Sequence, residues 1–142
     1  MVQAVARLLL APVLMVAFAV LVKGYAEVGD GFSAGAIAAL ALLLHYAAFG
    51  QAETERVLPI RRLPGAAYGA LLAALALATV PLAFGDSLLT YAPAPGSDPI
   101  YLGTLELIGA VAFDLAVFLM VMGSALGIIH AIARQAEEED GE

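Results

Sequence analysis

Leu105-Glu106-Leu-Ile-Gly-Ala-Val-Ala-Phe113-Asp114-Leu-Ala-Val-Phe118-Leu-Met-Val-Met-Gly123 reads as the opening of a membrane-spanning helix that continues to about residue 131, with one aspartate set inside it. A hydrocarbon core about 30 Å thick takes about 20 helical residues to cross. A charged side chain at its centre costs about 2.5–3.5 kcal/mol on insertion scales, and more in simulations. Asp114 therefore persists only by facing a water path, a partner group or a neighbouring subunit. The stretch decides the fold class, because a chain that carries it is embedded in a lipid bilayer. Its aspartate is the first place to look for function.

Three further apolar runs are of the same kind, so spans are expected at about 5–22, 33–49, 66–84 and 105–131. Lipid offers no water to satisfy the backbone, which makes each span helical by default. The expected fold is an all-α integral membrane protein with short connecting loops. It comprises a four-helix transmembrane domain over residues 1–134 and an acidic disordered tail over 135–142. Composition agrees: of 142 residues, 63% are hydrophobic and 13% charged, against about 45–50% and about 25% in soluble domains. The net charge of −7 misleads, since five of the thirteen acids (Glu137, Glu138, Glu139, Asp140 and Glu142) crowd the tail. No basic patch is present to hold nucleic acid. With no cysteine in the chain, disulfides and thiolate metal sites are excluded. Arg7 ahead of an apolar run resembles a signal peptide, but no small-residue cleavage pattern follows Val22, so a retained first span is expected.

Lys and Arg counts set the orientation. Arg7, Arg56, Arg61, Arg62 and Arg134 flank one side of the spans, and only Lys23 the other. Both termini and the 50–65 connector are thus expected on the cytoplasmic side. Pro12 lies near enough to the start of its helix to be mild, whereas Pro81 should kink or end the third span. The pairs Gly31/Gly35, Gly65/Gly69 and Gly123/Gly127 allow close helix approach, within the chain or against another subunit.

Few groups could carry chemistry. Asp114 admits two readings: a proton or cation relay, or a buried carboxylate paired with a basic side chain or a backbone donor. Because the span holds no basic residue, its partner is expected from solvent, another chain or a proton. Glu106 falls eight positions earlier; on one helix the two acids would sit about 80° and about 12 Å apart. It either lines a water-filled entrance or is a helix-start acid favoured by the dipole. His45 is either a proton carrier or a hydrogen-bonded packing residue, and His130 the same. Two histidines 85 positions apart make no metal site, and no cofactor or enzyme active site is readable. In the loop before the second span, Gly29 and Gly31 permit positive φ around Asp30. Asp30 or Ser33 could cap the helix that follows.

Two stretches together resemble a family. Gly24-Tyr-Ala-Glu-Val-Gly29-Asp30-Gly31-Phe32-Ser-Ala-Gly35 is similar to the G-H-N-x-P-G-G-G-F-x-x-G signature of the MnhB-like subunits of Mrp-type multisubunit cation/proton antiporters. Glu106 to Phe118, with Gly123, is similar to that family's E-L-x-x-x-x-x-F-D-L-G-V-[YF]…V-V-G segment. Here Tyr25 and Ala26 stand at the family's His and Asn, Val28 at its Pro, Asp30 at its second Gly, and Ala116 at the Gly after Asp-Leu. The chain thus looks like a divergent branch. Gly24, Gly29, Gly31, Phe32, Gly35, Glu106, Phe113 and Asp114 match the motifs. The resemblance implies a small subunit, in a prokaryotic cell membrane, of an assembly exchanging H+ for Na+ or a similar cation. Its partners would be large antiporter-like subunits and other small ones. The alternative it leaves is the corresponding subunit of a redox-driven complex such as a membrane-bound hydrogenase; a purely structural scaffold is the remaining reading.

Overall fold

The computed structural model describes residues 1–23, 29–57, 62–83, 85, 101–102, 105–106 and 109–139, with side chains for all of these except 57, 101–102, 105–106 and 136–139. Helix α1 spans Val2–Lys23, α2 Gly31–Phe49, α3 Gln51–Val57, α4 Leu63–Ala83 and α5 Gly109–Glu139. Among the described residues, α1, α2, α4 and α5 are each long and apolar enough to cross a membrane. The protein is an all-α, four-span membrane protein. Among the described residues it also has a two-residue ladder, in which β1 (Tyr101–Leu102) pairs antiparallel with β2 (Leu105–Glu106).

The helix ends follow local chemistry. Pro64 is the second residue of α4, where a missing N–H leaves no bond unmade. Pro81 is followed by only two more helical residues, as a proline that removes a ladder donor should be. Gly50 stops α2: its φ of 78° is one that side-chain-bearing residues rarely adopt, and its N–H donates to the Tyr46 carbonyl at 2.8 Å. That turn launches α3 directly beneath the end of α2.

Three expectations are corrected. The fourth span begins at Gly109 rather than 105, because Leu105 and Glu106 pair with another strand instead of extending the helix. A short apolar run reads alike as helix or strand, so periodicity could not separate them. The same helix runs on to Glu139, through residues expected in the disordered tail. The 50–65 connector, expected as a loop, holds α3.

The long helices stand in a row, α1–α2–α5–α4, rather than in a closed bundle. Glycine makes two of the seams. A Cβ on Gly31 would collide with the Asp114 carbonyl oxygen and lie 2.8 Å from its carbonyl carbon. One on Gly35 would lie 2.8 Å from the Phe118 carbonyl oxygen. Helices α2 and α5 thus run parallel, backbone against backbone. Farther along α5, Gly123 meets the Leu63 carbonyl oxygen and Ala67, while Gly127 meets Pro64, so α4 packs antiparallel on the same helix. The core is mostly alanine (Ala34, Ala38, Ala67, Ala70, Ala74, Ala110), which lets helices approach closely where only van der Waals contact and hydrogen bonds hold them. A Cβ added to Gly65 or Gly69 would meet nothing within 4 Å, so both face away from the other helices.

Gly31→Ala is therefore expected to destabilise the protein by about 1–3 kcal/mol, the cost of overpacking a close contact. The measurement is the thermal midpoint of the detergent-purified protein. Gly65→Ala, with open space and better helix propensity, should leave the midpoint unchanged or raise it.

Candidate functional site

Asp114 is the sixth residue of α5, about 7.5 Å along the axis from its first. The carboxylate is thus nearer one end of the 27-residue span than a helix starting at 105 would have placed it. It is only 5% exposed. Its Oδ2 accepts a hydrogen bond of 3.0 Å from the backbone N–H of Gly29, just ahead of α2. The partner therefore comes from its own chain, against the expectation of solvent, a second chain or a proton. Gly29, at φ 120°, aims that amide, and Gly31 lets the α2 backbone settle on Asp114. The carboxylate also lies at the positive end of α2, which favours negative charge, and a charge-assisted bond to a backbone amide is stronger than a neutral one.

The surrounding motif residues divide. Gly29 takes the expected positive φ, but Gly31 is helical, and its lack of a side chain serves close approach instead. Asp30 precedes α2 without a side-chain cap bond, and its carboxylate lies 3.7 Å from Lys23 Nζ. Phe32 is exposed, Phe113 half-buried and Gly35 buried against α5. Gly24 lies outside the described residues. Glu106 belongs to the two-residue ladder rather than to the Asp114 helix, so the 80° and 12 Å relation does not exist; its side chain lies outside the described ones.

A second polar cluster occupies the opposite end of the helices. His45 is buried, stacked on Phe49 with ring centroids 4.5 Å apart, and its Nδ1 is 3.5 Å from Thr54 Oγ1. Thr54 is fully buried and donates its hydroxyl proton to the Gly50 carbonyl at 2.7 Å. Since that hydroxyl spends its one proton on Gly50, it faces the His45 ring as an acceptor. Beside it, Tyr46 Oη donates to Gln51 Oε1 at 3.4 Å, Gln51 Nε2 donates to Glu55 Oε1 at 2.9 Å, and Glu55 Oε1 lies 3.7 Å from His130 Nδ1. Arg7 is 5.1 Å from the Phe49 ring centroid, and Gln3 donates to the Ala48 carbonyl at 3.1 Å.

Sequence reasoning singled out His45 but missed Gln51, Thr54 and Glu55. Their signal was faint: a polar heptapeptide whose Thr54 and Glu55 fall toward neighbouring helices only once α3 exists. The two clusters lie about 24 Å apart along α5, by the sixteen-residue separation of Asp114 and His130. Among the described residues no group of three or more His, Asp or Glu side chains could hold a metal ion. An apolar groove of about 610 Å³ runs between α4 and α5, bordered by Pro64, Tyr68, Leu71 and Ile128.

Comparison with known proteins gives this arrangement its context. The domain family described as related to the MnhB subunit of Na+/H+ antiporter matches residues 1–127. The B subunit of the Na(+)/H(+) antiporter of Alkalihalophilus pseudofirmus is 38% identical over 110 residues, covering 78% of this chain and 75% of its own. Its namesake from Bacillus subtilis is 32% identical, covering 87% of this chain and 85% of its own. The A/B subunit of a probable K(+)/H(+) antiporter of Rhizobium meliloti is 33% identical over 86% of this chain, a match spanning 12% of that longer protein. Both motif stretches, the glycine turn ahead of α2 and the Asp114 helix, fall inside the matched region, and the chain belongs to the MnhB-related family.

Proposed function

We propose that the chain is a small membrane subunit of a multisubunit monovalent cation/proton antiporter, in which Asp114 secures the α2–α5 crossing and borders the cation or proton route. The family and the names of its relatives support the first half. The second half rests on one observation: a buried carboxylate against which, among the described residues, the chain sets a backbone amide and no basic side chain. A clamp on that amide needs only an acceptor, which a neutral asparagine would supply. A charge in an apolar crossing is costly, and its use in ion or proton movement gives it a reason to be there.

One such acid is too few groups for an antiporter that works alone, so the main pathway is assigned to larger partner subunits. The Rhizobium meliloti relative, many times longer than its matched stretch, supports a large neighbouring chain. In the cell membrane of a prokaryote, both termini and α3 would face the cytoplasm, and the Lys23–Asp30 and Asp114 end the outside.

Asp114→Asn is expected to lower coupled cation/proton exchange in membrane vesicles by tenfold or more, with the complex recovered at wild-type level. Wild-type exchange at equal complex levels would leave Asp114 as an anchor only, and loss of the complex would make its charge structural. The orientation has its own check, made clean by the lack of native cysteine. A single Glu53→Cys should react with a membrane-impermeant maleimide only from the cytoplasmic side, and Ser97→Cys only from outside.

A further inference from the structure

His130 Nδ1 is sealed from solvent and has no hydrogen-bond partner among the described residues. Glu55 Oε1 lies 3.7 Å from it, too far for a hydrogen bond and close enough for an ion pair. A buried polar atom left in that condition calls for an explanation. Glu55 Oε1 already accepts from Gln51 Nε2, so the oxygen facing the ring is an acceptor. Were Nδ1 bare as well, two lone pairs would face each other, so a proton belongs on Nδ1, which either the neutral Nδ1–H ring or the charged ring supplies.

We propose that Glu55 and His130 form a proton-exchange site that ties α3 to α5 at the end of the protein opposite Asp114. With His130 protonated, an imidazolium faces a carboxylate already oriented by Gln51, and the two helices are held by charge. Once the proton leaves, the attraction falls to that of a neutral ring. Histidine side chains change charge between about pH 5 and 8, and a histidine–carboxylate ion pair exists only while the ring is charged, so a tie of this kind belongs to the acidic side of that range.

The neighbouring groups do not supply a competing switch. From α2, His45 reaches α3 through Thr54 and is spoken for by that hydroxyl. On α3, Glu53 and Arg56 pair with each other at 3.4 Å on the exposed side. Arg134 lies one turn beyond His130 on α5 and Arg62 stands at the start of α4, both exposed to solvent. Arg7 of α1 lies over the Phe49 ring. Because α3 is only seven residues long and starts at the Gly50 turn, its docking depends on few contacts, and one lost charge pair should be felt.

This site lies about 24 Å from Asp114 and goes beyond the transport reading, so its test uses no ion gradient. The protein is purified in mild detergent with the subunits that accompany it. Amide hydrogen exchange over Gln51–Val57 is then followed at about pH 6 and about pH 8.5, either side of the histidine range, and corrected for intrinsic exchange. Wild type should show protection at least fivefold higher at the lower pH. Glu55→Gln and His130→Gln should each bring that ratio close to one. If the His130 variant is not recovered, Glu55→Gln decides alone. A wild-type ratio near one, or a ratio that survives Glu55→Gln, overturns the proposal, and neither result bears on Asp114→Asn.

Discussion

The rest of the structure hangs on the crossing of α2 and α5 at Gly31 and Asp114, where two backbones meet with no side chain between them. In lipid no hydrophobic force drives helices together, so close van der Waals contact and interhelical hydrogen bonds must do so. This crossing supplies both, through the Gly31 contact and the Gly29 amide on Asp114. It also sets register. With Gly31 on Asp114, Gly35 falls on Phe118, and the two helices run on in parallel toward the other side. Helix α5 then receives α4 through its own glycines, 123 and 127, so one helix serves both seams.

Among the described residues, the buried polar side chains Asp114, His45 and Thr54 lie at the two ends of this frame. Between them the helices are apolar, with Ala34, Ala38 and Leu42 buried on α2, Ala116 and Leu126 on α5, and Val121 set against Gly35. A polar side chain there would lack partners, whereas at the ends loops and α3 provide them. At one end the backbone ahead of α2 satisfies Asp114; at the other, α3 brings Thr54 to His45 and Glu55 to His130. Among the described residues, the open row also leaves α1 and α4 with most of their apolar surface uncovered. That is the shape of a component, because lipid or other subunits must complete the enclosure.

The spans were legible in the sequence because an uninterrupted apolar run has one stable form in a bilayer. The Gly31/Gly35 and Gly123/Gly127 seams were legible as spacing, though nothing in the sequence distinguished them from Gly65/Gly69, which meets nothing. Asp114 was legible from its cost, but its partner was not: a backbone amide has no sequence signature, and residue 29 is 85 positions away. The Glu106 placement failed because Leu105-Glu106-Leu107-Ile108 is short enough to suit helix or strand. Helix α3 escaped notice since seven residues rich in Gln, Glu and Arg give no apolar period. Without α3, the approach of Glu55 to His130 could not be read at all.

The loop ahead of α2 departs from its family's pattern where side chains are concerned, with tyrosine, alanine, valine and aspartate at positions 25, 26, 28 and 30. The contact it makes with Asp114 needs none of those side chains. What it needs is an amide at residue 29, a φ that glycine takes without strain, and no Cβ at residue 31. All three requirements fall on glycines that match the motif. The carboxylate introduced at position 30 lies near Lys23, an exposed pair of the kind worth about 0–1 kcal/mol, and so adds little to stability. The recognition is made by backbone, so the departures from the motif are compatible with the Asp114 contact, which rests on two glycines and the aspartate that join α2 to α5.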